Sequence, residues 1–224
     1  LGKITETIPK VLVDINGKSL LRRAVEKCVA HGFDDIIINV HHFADMVEEE
    51  IGRLKRSGFR ITVSDERNEL LDTGGGLYKA RDFFDTDPFL LYNADIITDF
   101  DLSELLHYHK YKGGLATLSV RHRPGNRYLL IDEEGLLCGW CNNLTGERII
   151  VRGKDEKLSE IAFSSMHIIN PEIFSYMSDG IYSMTPLYLR LASSHKIYTL
   201  LYDNGYWFNT GTPEILEEVR KFVK

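Results

Sequence analysis

The hydrophobic pattern of this chain switches repeatedly between two periods, and that switching limits its fold more than any other feature. Leu20, Leu21, Ala24, Val25, Cys28 and Val29 recur at helical spacing behind Ser19, a good N-cap, and Gly32 stands where the helix should end. The next run, Ile36-Ile37-Ile38-Asn39-Val40, reads as a buried strand. The alternation continues: residues 43–55 predict a helix, 59–63 a strand, 77–84 a helix and 89–92 a strand. Strands separated by helices of this length need crossover connections, which are right-handed and put helices on both faces of a sheet. The expectation is an α/β fold with a Rossmann-like, mostly parallel mixed sheet flanked by helices.

Beyond Asp101 the character shifts. One more helix, residues 102–111, leads into strand-like runs at 115–121, 128–132 and 136–140, joined by the turn signals Pro124-Gly125 and Glu134-Gly135. Residues 162–169 predict a further central strand, 172–177 and 185–193 short helices, and 212–224 a terminal amphipathic helix. No repeat, low-complexity tract or linker interrupts the chain, so a single domain over residues 1–224 with a small β-rich insertion is expected.

Composition narrows the partners. The chain has 224 residues, 43% of them hydrophobic and 27% charged, enough for a sizeable core, and no apolar run approaches the roughly 20 residues of a bilayer-spanning helix. Lys and Arg number 27 against 33 Asp and Glu, a net charge of −6, which offers no basic field for a nucleic-acid backbone. Neither nucleic acid nor membrane is an expected partner. Three cysteines, Cys28, Cys138 and Cys141, do not make a disulfide framework and point to a reducing cytoplasm. Cys138-Gly139-Trp140-Cys141 has redox spacing but follows a strand-like run rather than opening a helix, so a structural role is expected.

Four segments can carry chemistry. In Ile8-Pro9-Lys10, Pro9 fixes the local backbone and gives Lys10 a defined direction, suited to holding a phosphate. Thr73-Gly74-Gly75-Gly76 stands before a predicted helix, and the missing Cβ atoms let a flat ring or phosphate approach the backbone. Asp95, in Asn93-Ala94-Asp95, lies at the carboxyl end of a hydrophobic strand, where one carboxylate can serve Mg2+ together with substrate phosphates. Asn209 precedes Thr210-Gly211-Thr212-Pro213-Glu214, with Thr212 as N-cap and Pro213 opening a helix, and can offer an amide oxygen.

In this order and spacing the four segments resemble the sugar-1-phosphate nucleotidylyltransferases over nearly the whole chain, and Leu71-Asp72-Thr73-Gly74-Gly75-Gly76 looks most like the subgroup around N-acetylmuramate-1-phosphate uridylyltransferase and the mannose-1-phosphate guanylyltransferases. The resemblance implies a cytoplasmic enzyme of nucleotide-sugar and bacterial cell-envelope biosynthesis. It would join an NTP, UTP or GTP, to a sugar 1-phosphate with Mg2+, and would act as a monomer or homodimer. Carried over by motif, Lys10 and Asp95 are catalytic, Asp95 and Asn209 hold the metal, and Thr73, Gly74, Gly75, Gly76, Asn93 and Ser165 bind substrate. Three departures are visible. The family's Gly-rich phosphate loop is expected before Leu1, Asn209 stands where many relatives have Asp, and no Lys-Pro pair occupies the middle region. A nucleotide-sugar-dependent glycosyltransferase, with Asp99-Phe100-Asp101 as its motif, and a non-catalytic nucleotide-sugar-binding homologue are the competing readings.

Overall fold

The structure is a computed structural model and describes residues 7–223. Leu1 to Glu6, and the expectation about a loop before Leu1, lie outside the described residues. In chain order the elements are β1 (Asp14–Ile15), β2 (Lys18–Ser19), α1 (Leu20–Ala30), β3 (Asp35–Val40), α2 (Ala44–Arg56), β4 (Arg60–Asp65), α3 (Asp72–Lys79), β5 (Phe89–Tyr92) and β6 (Ile96–Thr98). Then come α4 (Leu102–Lys112), β7 (Ala116–Arg121), β8 (Arg127–Ile131), β9 (Leu137–Asn142), β10 (Glu147–Ile150), β11 (Ser159–Ile169), α5 (Met184–Ala192), β12 (Ile197–Leu201), β13 (Trp207–Asn209) and α6 (Pro213–Phe222). They fall into two compact units.

The first unit comprises Leu1–Leu71, Tyr92–Leu102 and Gly205–Lys224. Its α1 is capped as expected, the Ser19 hydroxyl accepting from the Arg22 amide at 3.1 Å. In α2, Ala44, Val47, Ile51 and Leu54 recur every three or four residues and are all buried. They pack with Leu21, Val25, Val40 and Ile61 into one core, over the parallel pair β3 and β4. A second core joins Val13, Ile15 and Leu20 to Ile97 of β6 and to Leu216 and Val219 of α6.

The second unit comprises Asp72–Leu91 and Ser103–Asn204. Its seven-stranded sheet runs β10-β9-β8-β11-β7-β12, with β5 also against β11. The fold is mixed α/β. Parallel pairing occurs at β3·β4 and β7·β12, where helices intervene, and antiparallel pairing at β7·β11, β8·β9, β8·β11 and β9·β10, with Glu134-Gly135 in the turn between β8 and β9. The two buried thiols of β9 bear out the structural reading. Burial pushes Cys138 up to about 11 and Cys141 upward as well, the reverse of a redox pair.

Two element boundaries need correction. The helix read at 77–84 instead begins at Asp72 and ends at Lys79, followed by a 3₁₀ turn at Arg81–Phe83, so the three glycines lie inside the helix and not before it. The helix read at 172–177 is a 3₁₀ segment, Pro171–Tyr176, opened by its proline.

Candidate active site

Lys10 opens a single 3₁₀ turn, Lys10–Leu12, behind Pro9 in its extended conformation. The Leu12 amide donates to the Pro9 carbonyl at 2.9 Å and the Val13 amide to the Lys10 carbonyl at 3.1 Å, so the backbone beneath the lysine is fixed. Its ammonium contacts the Asp95 carboxylate and lies 3.4 Å from the Asn209 amide oxygen Oδ1. Residues from three separate stretches of the chain thus meet at one point of the first unit.

Asp95 sits in the turn between β5 and β6. The Ile96 amide donates to the Asn93 carbonyl at 3.0 Å, and the Tyr92 hydroxyl donates to the Ile96 carbonyl at 2.6 Å, bracing the turn across its mouth. Burial pushes the Tyr92 phenol far above its ordinary range, so it stays protonated and remains a donor. The antiparallel pair β6 and β13 sets Asn209 opposite Ile96, which brings the amide to the carboxylate. Gly211 leaves room for that approach. A Cβ there would stand 3.3 Å from Asn209 Oδ1 and 3.9 Å from Lys10 Nζ. Thr212 then caps α6, its hydroxyl accepting from the Ile215 amide at 3.4 Å, with Pro213 as the first helical residue.

One carboxylate and one amide oxygen, both reached by a single cationic group, are hard donors of the kind Mg2+ takes when phosphates and water supply the remaining ligands. Among the described residues no group of three or more His, Cys, Asp or Glu forms a metal cluster.

Thr73, Gly74, Gly75, Gly76 and Ser165 belong to the second unit. The first turn of α3 is tied to the loop before α5. The amides of Gly74 and Gly75 donate to the Tyr182 carbonyl at 2.8 and 3.2 Å, and the Thr73 hydroxyl accepts from the Met184 amide at 3.1 Å, capping α5 from outside it. Those two glycine donors are therefore engaged within the protein. Gly74 also has a packing reason: a Cβ would stand 2.5 Å from the Tyr182 ring. Ser165 has φ +62°, where β11 shifts register against β7 between Phe163 and His167. Glycine adopts that conformation without strain, whereas a side chain there is rare.

Tyr92 and Tyr182, which brace these segments, carry no local signal in the sequence. Each acts on a backbone group, four residues away for Tyr92 and over a hundred for Tyr182, that no motif spacing reveals.

A family model described as Nucleotidyl transferase, NTP_transferase, matches residues 1–224, and the chain belongs to that family. It is similar to N-acetylmuramate alpha-1-phosphate uridylyltransferase of Caulobacter vibrioides, with 28% identity over 223 residues, covering 94% of this chain and 86% of that protein. The catalytic subunit beta of mannose-1-phosphate guanylyltransferase from Xenopus tropicalis is 38% identical over 123 residues, 54% of this chain and 34% of that one, so the match spans about a third of the longer protein. Among solved structures, HddC from Yersinia pseudotuberculosis complexed with GMP-PN superposes with a TM-score of 0.80 at 20% identity, over 100% of this chain and 94% of that one, and shares the fold.

Proposed function

We propose that this chain transfers the nucleotidyl group of UTP or GTP to a sugar 1-phosphate, giving a nucleotide-diphosphate sugar and pyrophosphate. The observation that carries the reading is the convergence of Lys10, Asp95 and Asn209 on one point, in a chain of the nucleotidyl transferase family. Similar proteins named as uridylyl- and guanylyltransferases support the choice of base.

In the proposed reaction an oxygen of the sugar 1-phosphate attacks the α-phosphorus in line, and the bond to the departing pyrophosphate breaks. Little covalent work falls to the protein, so positioning and electrostatics carry the rate. Lys10 exchanges its contact with Asp95 for one with a substrate phosphate and offsets charge on the non-bridging oxygens. Asp95 and Asn209 would hold Mg2+, which when bound neutralises phosphate charge. By the family resemblance, Thr73 to Gly76, Asn93 and Ser165 would each contact a substrate. The same reading implies a cytoplasmic enzyme supplying activated sugars for the cell envelope.

Pyrophosphate release by the complete protein across a matrix of NTPs and sugar 1-phosphates tests this. One pair should stand well above the rest, and Asp95→Ala should lower its turnover by at least about a hundredfold. Near-normal turnover of that variant at saturating Mg2+ would overturn the assignment of Asp95.

A further inference from the structure

Thr210 follows Asn209 directly and is fully buried, at 0% exposure. Its amide donates to the Asp95 carbonyl at 3.0 Å, and its hydroxyl donates to the same oxygen at 2.9 Å. One residue thus fills both lone pairs of one backbone oxygen. The ladder between β6 and β13 ends at the pair of Ile96 and Asn209, and the two bonds from Thr210 carry the pairing one residue further, to Asp95.

The choice of side chain is informative. Valine has the same shape, suits extended backbone at least as well and brings no polar atom into a fully buried position. A buried hydroxyl is costly unless bonded, and this one's bond goes to the residue whose carboxylate Lys10 touches. We propose that Thr210 is a positioning residue, setting the spacing between the Asp95 carboxylate and the Asn209 amide oxygen before any ligand arrives. This rests on the function proposed above. Thr210 touches neither substrate nor metal; it acts through Asp95, so its loss should register on cation binding and leave sugar binding alone.

The test compares Thr210→Val, which removes only the hydroxyl bond, with Thr210→Ser, which keeps it. Mn2+ binding to the full chain, with and without UTP or GTP, is read by electron paramagnetic resonance, beside thermal melting, the Mg2+ concentration for half-maximal turnover, and KM for the sugar 1-phosphate. Thr210→Val should weaken Mn2+ binding and raise the Mg2+ requirement by about fivefold, the worth of one ordinary hydrogen bond, with sugar KM unchanged; Thr210→Ser should behave as wild type. Mn2+ binding by folded Thr210→Val equal to wild type overturns the proposal. So does a uniform loss of every parameter together with melting temperature that serine fails to rescue, and so does a wild-type chain that binds no Mn2+ in either condition. Should the valine variant not fold, the same comparison is read between Thr210→Ala and Thr210→Ser. A wild-type chain that binds Mn2+ but releases no pyrophosphate with any substrate pair overturns the proposed reaction and leaves the positioning role standing.

Discussion

Lys10 and Asp95 form an ion pair across 85 residues of sequence, and the pair defines a competition. An ammonium on that carboxylate occupies the charge that a divalent cation would use. Lys10→Ala is therefore expected to do two opposite things. Turnover should fall by about a hundredfold or more, because phosphate charge loses its partner. Mn2+ binding to the nucleotide-free protein should hold or tighten, since Asp95 no longer shares its charge. Weaker Mn2+ binding in that variant would count against the competition. His167 gives a residue-scale prediction of another kind. It is buried against Tyr188, whose hydroxyl lies 2.7 Å from Nδ1, with the Phe163 ring edge-on, and burial pushes it down to about 3. The folded protein keeps this imidazole neutral while the unfolded chain protonates near the ordinary value of about 6.5. Its contribution to stability is full above that pH and shrinks as pH falls toward 3, at up to about 1.4 kcal/mol per pH unit. Urea midpoints at pH 7 and pH 5 should show this slope reduced in His167→Gln; an unchanged slope would assign the acid sensitivity elsewhere. Lys10, Asp95 and Asn209 stood out in the sequence because a proline, a strand end and a helix N-cap followed by proline mark their surroundings. Thr210 did not, because its partner is an oxygen of the backbone, 115 residues away.

At the scale of elements, α3 shows where local rules fail. Three consecutive glycines argue for a loop, since each weakens a helix by roughly 1 kcal/mol relative to alanine. The helix nonetheless starts before them, because the Tyr182 carbonyl accepts from two of their amides and the Tyr182 ring packs where a side chain would be. Gly74→Ala, favourable by helix propensity, should therefore destabilise the protein by about 1–3 kcal/mol through overpacking. Chemical denaturation measures this directly, and a stabilised variant would mean that the contact with Tyr182 yields freely. The helices α1 and α6 were readable because a capping side chain and three-four spacing agreed, and α2 because its spacing alone was regular. Strands β6, β10 and β12 were missed: runs of three to five residues are too short for periodicity to declare itself, and what makes them strands is pairing, with β13, β9 and β7.

At the scale of the molecule, the chain forms two compact units, each assembled from separated stretches. Composition could not signal this, because the chain passes between units within ordinary strand and helix sequence, at Leu91 to Tyr92 and Leu102 to Ser103. The consequence for stability is concrete. The core of Val13, Ile15, Leu20 and Ile97 is completed by Leu216 and Val219. Ending the chain at residue 204 should expose that core, lower the melting temperature by about 10 °C or more, and produce binding of a hydrophobic dye. A truncated chain melting like the full one would show that α6 is dispensable to the first unit.

The sequence separation of 199 positions from Lys10 to Asn209 also carries a meaning in time. At the usual pace of about 5–20 residues per second, roughly 10–40 seconds of synthesis separate the two side chains on the ribosome. Through that interval Lys10 and Asp95 can meet without Asn209, and the site exists only as a half. A nascent or prematurely terminated chain thus lacks the amide arm, and any ligand that needs all three groups stabilises finished molecules alone.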